Sequence, residues 1–332
     1  MNVGVLGSGS WGTTLAALLA KEGHKVALWC FESNVAEEAK SSRLNTKYLP
    51  DVSLPKNLKI TTSLEEAVLG AQVIVSVSPS QFVRDVIKRA AKHIDPEAFI
   101  CSASKGIETE SLKRMDEVFR DNLSEEQFAG FSVLSGPSFA SEVAQELPTA
   151  VVVASEDRSA SSLIQNLFQT SYFRVYTGTD VIGVELGGAL KNVIALAAGV
   201  SAGLNYGYNT QAALMTRGLA EMKRLGMSMG AKDSTFSGLA GMGDLVLTCT
   251  GTLSRNRTVG YRLGRGEKIE NILDDMSSVA EGVKTTESVF QLADIHGIDM
   301  PITTEIYGML KLGQTPQGAL FNLMGREPKS EE

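Results

Sequence analysis

The chain of 332 residues has little cysteine and little histidine, three residues of each. Cys30, Cys101 and Cys249 are odd in number and far apart, which argues against a disulfide framework and indicates reduced thiols. The three histidines are equally scattered and show no zinc-ligand spacing, so we expect no metal site. A proton-transfer group in this chain is therefore expected to be a lysine, an aspartate or a glutamate.

The sequence also lacks an excess of positive charge and a long apolar run. Its 31 lysines and arginines are outnumbered by 38 acidic residues, and the net charge of −7 argues against nucleic acid as the main partner. The longest apolar stretches, such as residues 193–200, fall far short of the ~20 residues that a membrane helix needs. Residues 1–6 show no basic signal region, so we expect a cytoplasmic protein without membrane insertion.

The first half of the chain alternates short apolar runs with helix-like segments. Runs rich in valine, isoleucine and leucine are typical of strands that are buried on both faces of a parallel sheet. Helices between them, such as residues 13–21 and 81–92, predict a doubly wound Rossmann domain with a mostly parallel sheet. The strand candidates are residues 2–6, 25–30, 73–77, 98–102, 131–134, 150–154 and 173–176.

The pattern changes near residue 180, after which strand signals nearly vanish. At roughly 100–200 residues per domain, the length of the chain predicts two domains. We therefore expect an α/β protein with a Rossmann domain over residues 1–180 and an all-helical domain over residues 181–332. The helix candidates of the second half are residues 181–204, 210–225, 269–276, 285–295 and 303–312.

A glycine-rich turn, GSGSWG at residues 7–12, lies between the first strand and the first helix. The pattern is weak alone, but this context is the one in which it binds a dinucleotide. Gly7 permits the tight turn, Gly9 lets a pyrophosphate approach the backbone, and Gly12 lets helix and strand pack closely. The helix N-terminus adds partial positive charge, so we expect a dinucleotide cofactor at this turn.

The ends of later strands carry residues that suit a ligand cleft. Glu32 follows the second strand, where a carboxylate accepts hydrogen bonds from a ribose diol and repels a 2′-phosphate; the alternative is a solvated loop glutamate. Phe82 either packs beside the cofactor or belongs to the core. Lys105 follows another strand among small residues, as expected where a ligand docks against the backbone; the alternative is a solvated loop lysine. The segment SGPSFA at residues 135–140 repeats that layout. Together these turns predict a polar cleft.

Two segments of the second half carry charge in informative places. Lys191 lies in the middle of the apolar helix candidate 181–204, where a lysine must reach the surface, pair or act chemically. Burial would lower its pKa towards the range that is useful in acid–base catalysis. The SRNR segment at residues 254–257 offers a hydroxyl, a guanidinium and a carboxamide at the start of a helix, which suits an anion; a surface basic pair is the alternative.

Together these segments resemble the NAD(P)-dependent glycerol-3-phosphate dehydrogenases over nearly the whole chain. The resemblance implies the reduction of dihydroxyacetone phosphate to sn-glycerol 3-phosphate, the backbone of glycerophospholipids. It also implies an N-terminal Rossmann domain, a helical C-terminal domain and a homodimer. The motifs that carry it are GSGSWGTTLA at 7–16, ASKGIE at 103–108, LSGPSFA at 134–140, GVELGGALKNVIALAAG at 183–199, FSGLAGMGDLVLTCTG at 236–251 and SRNRTVG at 254–260.

The resemblance also implies roles for individual residues. Lys191 would be the general acid/base, Asp244 would orient or charge it, and Lys105 would add electrostatic stabilisation. The implied substrate site consists of Lys105, Gly136, Ser138, Lys191, Asp244, Ser254, Arg255 and Asn256. The implied cofactor site adds Ser10, Trp11, Phe31, Lys105, Ala140, Arg255, Val279 and Glu281 to the glycine-rich turn, Glu32 and Phe82.

One departure from the family bears on the choice of cofactor. Bacterial members commonly carry a basic residue, often within a His-Arg pair, where this chain has Phe31-Glu32, and the segment is more similar to that of NAD-using eukaryotic enzymes. We therefore expect a preference for NADH, which Lys25 or Arg43 could soften if the loop folds back. Two other functions stay open at this point: a β-hydroxyacid dehydrogenase with a carboxylate substrate, and a non-catalytic redox sensor that binds NAD(H).

Overall fold

A computed structural model of the chain describes residues 1–276, 279–328 and 330. The first half of the described chain contains a mixed sheet. Its strands are β1 (Asn2–Leu6), β2 (Lys25–Trp29), β3 (Lys59–Thr61), β4 (Val73–Ser76), β5 (Phe99–Ser102), β6 (Phe131–Ser135), β7 (Thr149–Ala154) and β8 (Phe173–Gly178). They lie side by side in the order β3-β2-β1-β4-β5-β6-β7-β8, which is the doubly wound arrangement that the strand pattern predicts.

The sheet is parallel except at one place. Strands β6 and β7 pair antiparallel, with Val133 opposite Ala154, whereas β7 and β8 are parallel again. Because the other six neighbouring pairs of these strands are parallel, the prediction of a mostly parallel sheet is confirmed. The connection between β6 and β7 carries only the five-residue helix α7 (Ala140–Ala144), which packs against the first helix and is too short to cross a face of the sheet.

Helices cover both faces of this sheet. The first of them begins at Ser10, three residues before the predicted start, because the glycine-rich turn leads directly into it. The predicted helix 81–92 is a helix flanked by two 3₁₀ turns, Ser80–Phe82 and Ala91–His93. The helices are α1 (Ser10–Lys21), α2 (Ser33–Ser41), α3 (Leu64–Val68), α4 (Val83–Ala90), α5 (Met115–Arg120), α6 (Glu125–Ala129), α7, and α8 (Arg158–Phe168).

The second half of the described chain is helical, as its sequence pattern predicts. A single π-helical turn, Leu239–Gly243, precedes the helix that begins at Asp244. The helices are α9 (Val181–Gly203), α10 (Tyr208–Ser228), α11 (Asp233–Phe236), α12 (Asp244–Thr250), α13 (Arg255–Gly264), α14 (Ile269–Asp274), α15 (Glu281–Ile295), α16 (Pro301–Lys311) and α17 (Pro316–Met324).

Helix α9 is the centre of the helical part. By length and composition it could cross a membrane, but 94% of its apolar window is buried inside the protein, as in the core helix of a globular domain. Small residues let a neighbour approach closely: a Cβ on Gly199 would lie 2.2 Å from the carbonyl oxygen of Arg257, and one on Gly260 would lie 2.0 Å from that of Leu196. Helix α13 is therefore held against α9 backbone to backbone.

Candidate active site

The glycine-rich turn has the geometry that a dinucleotide needs. Gly7 has a φ of +121°, and a Cβ on Gly12 would lie 1.9 Å from the carbonyl oxygen of Gly7, so both positions require glycine. A Cβ on Gly9, by contrast, would meet nothing within 4 Å. This open backbone at the N-terminus of α1 fits a pyrophosphate, because unpaired N–H groups and the helix dipole both favour an anion there.

The side chains after β2 are already engaged with one another. Lys47 donates a hydrogen bond of 2.6 Å to one carboxylate oxygen of Glu32, and the Tyr48 hydroxyl donates one of 2.9 Å to the other. The Lys47 hydrogen bond is the main cause that holds the pKa of Glu32 below its usual range. Phe31 is 77% exposed and lies edge-on to Trp29. Glu32 is therefore paired within the chain and remains partly exposed, with 29% of its side chain accessible.

Three further residues of the predicted cofactor site have defined surroundings in the structure. Phe82 is 56% exposed, so the alternative that places it in the core is wrong. Ala140, at the start of α7, accepts a hydrogen bond of 3.1 Å from the Thr14 hydroxyl of α1, which places it beside the glycine-rich helix. Trp11 packs on Phe173, with ring centroids 6.3 Å apart.

A hydrogen-bonded cluster joins the two halves of the chain. Lys191 on α9 is only 6% exposed, and its Nζ donates to Asp244 Oδ1 at 2.6 Å and to Thr248 Oγ1 at 2.7 Å. Lys105, which follows β5, donates to the other oxygen of Asp244 at 2.7 Å and to the carbonyl oxygen of Gly136 at 3.2 Å. One buried carboxylate therefore holds two ammonium groups, one from each half.

The cluster sets the protonation of its members. Burial lowers the pKa of Lys191 to about 8, opposed by the adjacent Asp244 carboxylate and assisted by the Lys105 charge. Burial alone would raise the pKa of Asp244, but the two ammonium groups outweigh it and hold that pKa below its usual range. The site thus contains a lysine that exchanges a proton near neutral pH and a carboxylate that stays ionised.

Each lysine of the cluster retains donor capacity. An ammonium group has three hydrogens, and Lys191 and Lys105 each use two on acceptors among the described residues. Ser138 lies beside them and donates to the carbonyl oxygen of Gly136 at 3.0 Å. Gly136 has a φ of +139°, and a Cβ there would lie 2.9 Å from the Cα of Val151, so the turn after β6 requires glycine.

The SRNR segment differs in part from its prediction. Ser254 is the N-cap of α13 and accepts from the backbone of Arg257 at 3.2 Å. Asn256 is buried and bridges two helices: it donates to Asn192 of α9 at 2.9 Å and accepts from the backbone of Gly282 in α15 at 2.9 Å. Arg255 is exposed and makes no hydrogen bond or salt bridge among the described residues; burial of its guanidinium lowers its pKa, which the nearby Glu281 carboxylate opposes. Of the three side chains, only this guanidinium is free to take an anion.

The N-terminus of α15 contacts the turn that follows β4. Glu281 accepts from the backbone and the hydroxyl of Ser80, at 3.1 and 2.6 Å, and thereby ties α15 to the turn after β4. Burial raises the pKa of Glu281. Val279 precedes it and is 45% exposed. Glu281 thus serves as a link between the two halves in this structure.

Several residues of the site were not predicted. Thr248 contacts Lys191, and its spacing of four from Asp244 on one helix could have indicated it, because residues i and i+4 share a helix face. No comparable spacing along the chain marks the other four residues, which are Asn192, Ser80, Lys47 and Tyr48. In the part of the chain that the structure describes, no group of three histidine, cysteine, aspartate or glutamate side chains could hold a metal ion.

The sequence matches two family models that together span most of the chain. One describes the N-terminus of NAD-dependent glycerol-3-phosphate dehydrogenase and matches residues 2–161. The other describes the C-terminus of the same enzyme and matches residues 180–321.

Individual relatives agree with this family. A glycerol-3-phosphate dehydrogenase (NAD(P)+) of Geobacter metallireducens is 56% identical over 329 residues, 99% of this chain and 98% of the relative. One from Geobacter sulfurreducens is 55% identical over the same shares. The crystal structure of glycerol-3-phosphate dehydrogenase from Coxiella burnetii superposes with a TM-score of 0.93 at 40% identity, covering 98% of this chain and 99% of that one. The chain therefore belongs to the NAD-dependent glycerol-3-phosphate dehydrogenase family.

Proposed function

We propose that the Lys191–Asp244–Lys105 cluster reduces dihydroxyacetone phosphate to sn-glycerol 3-phosphate, reversibly, with a nicotinamide dinucleotide as hydride donor. The observation that carries this function is a buried lysine with a pKa of about 8 that is linked through the Asp244 carboxylate to Lys105, in the turn after β5 of the Rossmann sheet. The family and its relatives support the phosphorylated ketone over the carboxylate substrate of a β-hydroxyacid dehydrogenase. A redox sensor would have no use for such a lysine.

The residues of the cluster divide the chemical work. The nicotinamide cofactor, when bound, supplies the hydride that reduces the C2 carbonyl. Lys191 gives the proton on its Nζ to the carbonyl oxygen as negative charge develops there. Asp244 keeps Lys191 oriented and charged through the 2.6 Å hydrogen bond. Lys105 directs its remaining N–H at the same oxygen, a fixed donor in a site that is largely closed to water.

The phosphate of the substrate would bind at the start of α13. Arg255 supplies a planar guanidinium that matches a phosphate, and the backbone N–H groups of the first helical turn add partial positive charge. Ser254 and Asn256 shape this turn through the cap and the bridge to α9, and Ser138 and Gly136 shape the opposite wall. Binding energy gained at the phosphate would align the reacting carbonyl.

The pKa of Lys191 predicts how the rate of the reaction depends on pH. We expect kcat/KM for reduction to fall as pH rises above about 8, because Lys191 must carry the proton that it donates, and kcat/KM for oxidation to rise over the same range. Asp244→Asn should move the alkaline limb of the reduction profile to lower pH, since the carboxylate raises the pKa of Lys191. Lys105→Met should move it to higher pH, since its charge lowers that pKa.

These opposite shifts separate the electrostatic account from a merely structural one. Lys105→Met removes the hydrogen bonds that Lys105 donates to Asp244 and to the carbonyl oxygen of Gly136, and Asp244→Asn leaves one oxygen to accept from two ammonium groups. Both variants therefore loosen the same cluster, so a loss of packing alone would affect them alike. The measurement is kcat/KM from about pH 6 to 10 for the wild type and both variants, which reports the free enzyme. Shifts of the same sign, or profiles that do not move, would contradict the assigned roles.

The glycine-rich turn offers a test of cofactor binding that is independent of catalysis. Gly9→Val should fold normally, because the N-cap backbone is extended and the new side chain meets open space, but it should weaken NADH binding by about tenfold or more since it fills the pyrophosphate position. Gly207→Val is the matched control: Gly207 is also an extended N-cap with open space around its Cβ. Calorimetric titration with NADH, which should leave the control unchanged, compares the two.

We propose a preference for NADH over NADPH. The support is the carboxylate of Glu32 after β2, where it would accept from ribose hydroxyls and oppose a 2′-phosphate. Wild-type kcat/KM should therefore be higher with NADH, and Glu32→Arg should shift the ratio towards NADPH. Initial rates with both cofactors at saturating dihydroxyacetone phosphate test this, and a tenfold preference of the wild type for NADPH would contradict it.

The remaining proposals concern the cell and the assembly. We propose that the protein is a cytoplasmic homodimer and that it supplies glycerol 3-phosphate to phospholipid synthesis. We also propose that the boundary between its two domains lies at Asp180, between β8 and α9. Large apolar side chains are exposed near the end of the chain, at Leu312, Phe321 and Met324, and subunit interfaces cover surfaces of this kind. Light scattering of the purified protein tests the dimer.

A further inference from the structure

The carboxylate of Glu32 has a built-in counter-ion. Lys47 Nζ lies 2.6 Å from one of its oxygens, and the Tyr48 hydroxyl lies 2.9 Å from the other. Lys47 and Glu32 are 36% and 29% exposed, so the pair sits at the rim of the cleft within reach of a ligand. Lys47 also lies 5.1 Å from the centre of the Tyr48 ring.

The segment that carries Lys47 is anchored to the glycine-rich turn. The buried Asn45 donates to the carbonyl oxygen of Ser8 and to the Thr13 hydroxyl, both at 2.9 Å. Ser10 at the start of α1 donates to the carbonyl oxygen of Tyr48 at 2.5 Å. Lys47 is therefore held beside the turn that would bind the pyrophosphate, and its position does not depend on an unconstrained loop.

Other cations named for this role do not reach Glu32. Arg43 donates to the backbone carbonyl oxygens of Leu58 and Lys56, at 2.9 and 2.7 Å. Lys25 begins β2, whereas Glu32 follows its end, so the strand length separates them. The sequence suggests that Lys25 or Arg43 weakens the preference for NADH. In the structure, Lys47 is instead the cation that contacts Glu32.

The charges explain what the pair would do. Glu32 alone would present one negative charge to a 2′-phosphate that itself carries close to two. Paired with Lys47 it is neutral overall, and the lysine can turn part of its donor capacity to the phosphate without leaving the carboxylate. Glu32 at the same time keeps lone pairs for ribose hydroxyls.

We propose that Lys47 is a specificity-determining residue that lets this site accept the 2′-phosphate of NADPH despite Glu32. This inference rests on the proposed cofactor site after β2. Glu32 sets the direction of the preference, and Lys47 limits its size.

The test uses fragments that differ only at the 2′ position. Adenosine 2′,5′-bisphosphate and adenosine 5′-monophosphate are titrated calorimetrically into the full-length wild type, Lys47→Met and the control Lys25→Met. We expect Lys47→Met to weaken the bisphosphate about 5- to 20-fold, with the monophosphate changed less than about twofold, and the difference to shrink at high salt. Lys25→Met should resemble the wild type. Equal losses for both fragments, or no loss for the bisphosphate, would overturn the proposal.

A second variant and the intact cofactors separate this proposal from the preference for NADH. Glu32→Gln should tighten the bisphosphate, because it releases Lys47 from its carboxylate, and weaker binding would contradict the proposed pair. The affinities of NADH and NADPH for the wild type are measured in parallel. A wild type that prefers NADPH would refute the preference, but a selective loss of the bisphosphate in Lys47→Met would still support the role of Lys47.

Discussion

Lys191→Ala should lower kcat for ketone reduction by about 10²- to 10⁴-fold, the usual consequence of losing a general acid. The side chain is buried, donates hydrogen bonds to Asp244 and Thr248, and has a pKa of about 8. In its absence, a proton from solvent would not be held in a fixed position for transfer to the substrate. The affinity for NADH should change little, because the proposed role of the lysine is to protonate the substrate and not to hold the cofactor. Single-turnover and steady-state rates measure the effect, with thermal melting to establish that the variant folds.

Lys191→Arg is the control for charge. It keeps a cation beside Asp244, but a guanidinium does not release its proton in the working pH range. The arginine variant should therefore be nearly as slow as the alanine variant. If Lys191→Ala retained a tenth of the wild-type kcat, or if arginine restored activity, Lys191 would not be the proton donor.

Unphosphorylated dihydroxyacetone should be a very poor substrate, with kcat/KM lower by about 10³-fold or more and with losses in both kcat and KM. The reason is that contacts to the phosphate would align the carbonyl, and a ketone without phosphate forfeits that alignment. Arg255→Ala should lower kcat/KM for dihydroxyacetone phosphate by about 10²-fold, the scale of a charge-assisted contact, and leave the unphosphorylated ketone almost unaffected. The gap between the two substrates should therefore narrow.

Arg265→Ala provides a matched control for Arg255→Ala. Arg265 is the C-cap of the same helix, α13, so its loss removes one charge from the far end and should leave the ratio of the two substrates unchanged. Steady-state kinetics with both ketones decides the matter. Comparable rates for the two ketones in the wild type would show that the start of α13 does not bind the phosphate.

The elements that the sequence predicted best are those with a strong local pattern. The apolar run of α9 ends within one residue of its prediction, and all seven predicted strands occur, because continuous burial leaves an unbroken signal along the chain. Strand β3 has three residues, Lys59–Thr61, and is too short to give a pattern. The antiparallel β6–β7 pair depends on where α7 packs, which no local periodicity records.

The residues of the candidate site also differ in whether a local sequence pattern predicts them. Lys191 was identified because a charged group in the middle of an apolar helix is unusual, whereas Asp244 was implied by the family resemblance; the structure joins the two directly. The Glu32–Lys47 pair spans 15 positions and the Asn192–Asn256 bridge spans 64. Such contacts arise only when distant segments fold together, so composition and spacing could not predict them.

The most direct test of the central claim is the oxidation of NADH, followed by the loss of its nicotinamide absorbance, with dihydroxyacetone phosphate and with hydroxypyruvate. The first ketone carries a phosphate and the second a carboxylate on a chain of similar length. We predict rapid oxidation with dihydroxyacetone phosphate, formation of sn-glycerol 3-phosphate, and little oxidation with hydroxypyruvate. Oxidation with hydroxypyruvate but not with dihydroxyacetone phosphate, or with neither, would contradict the account.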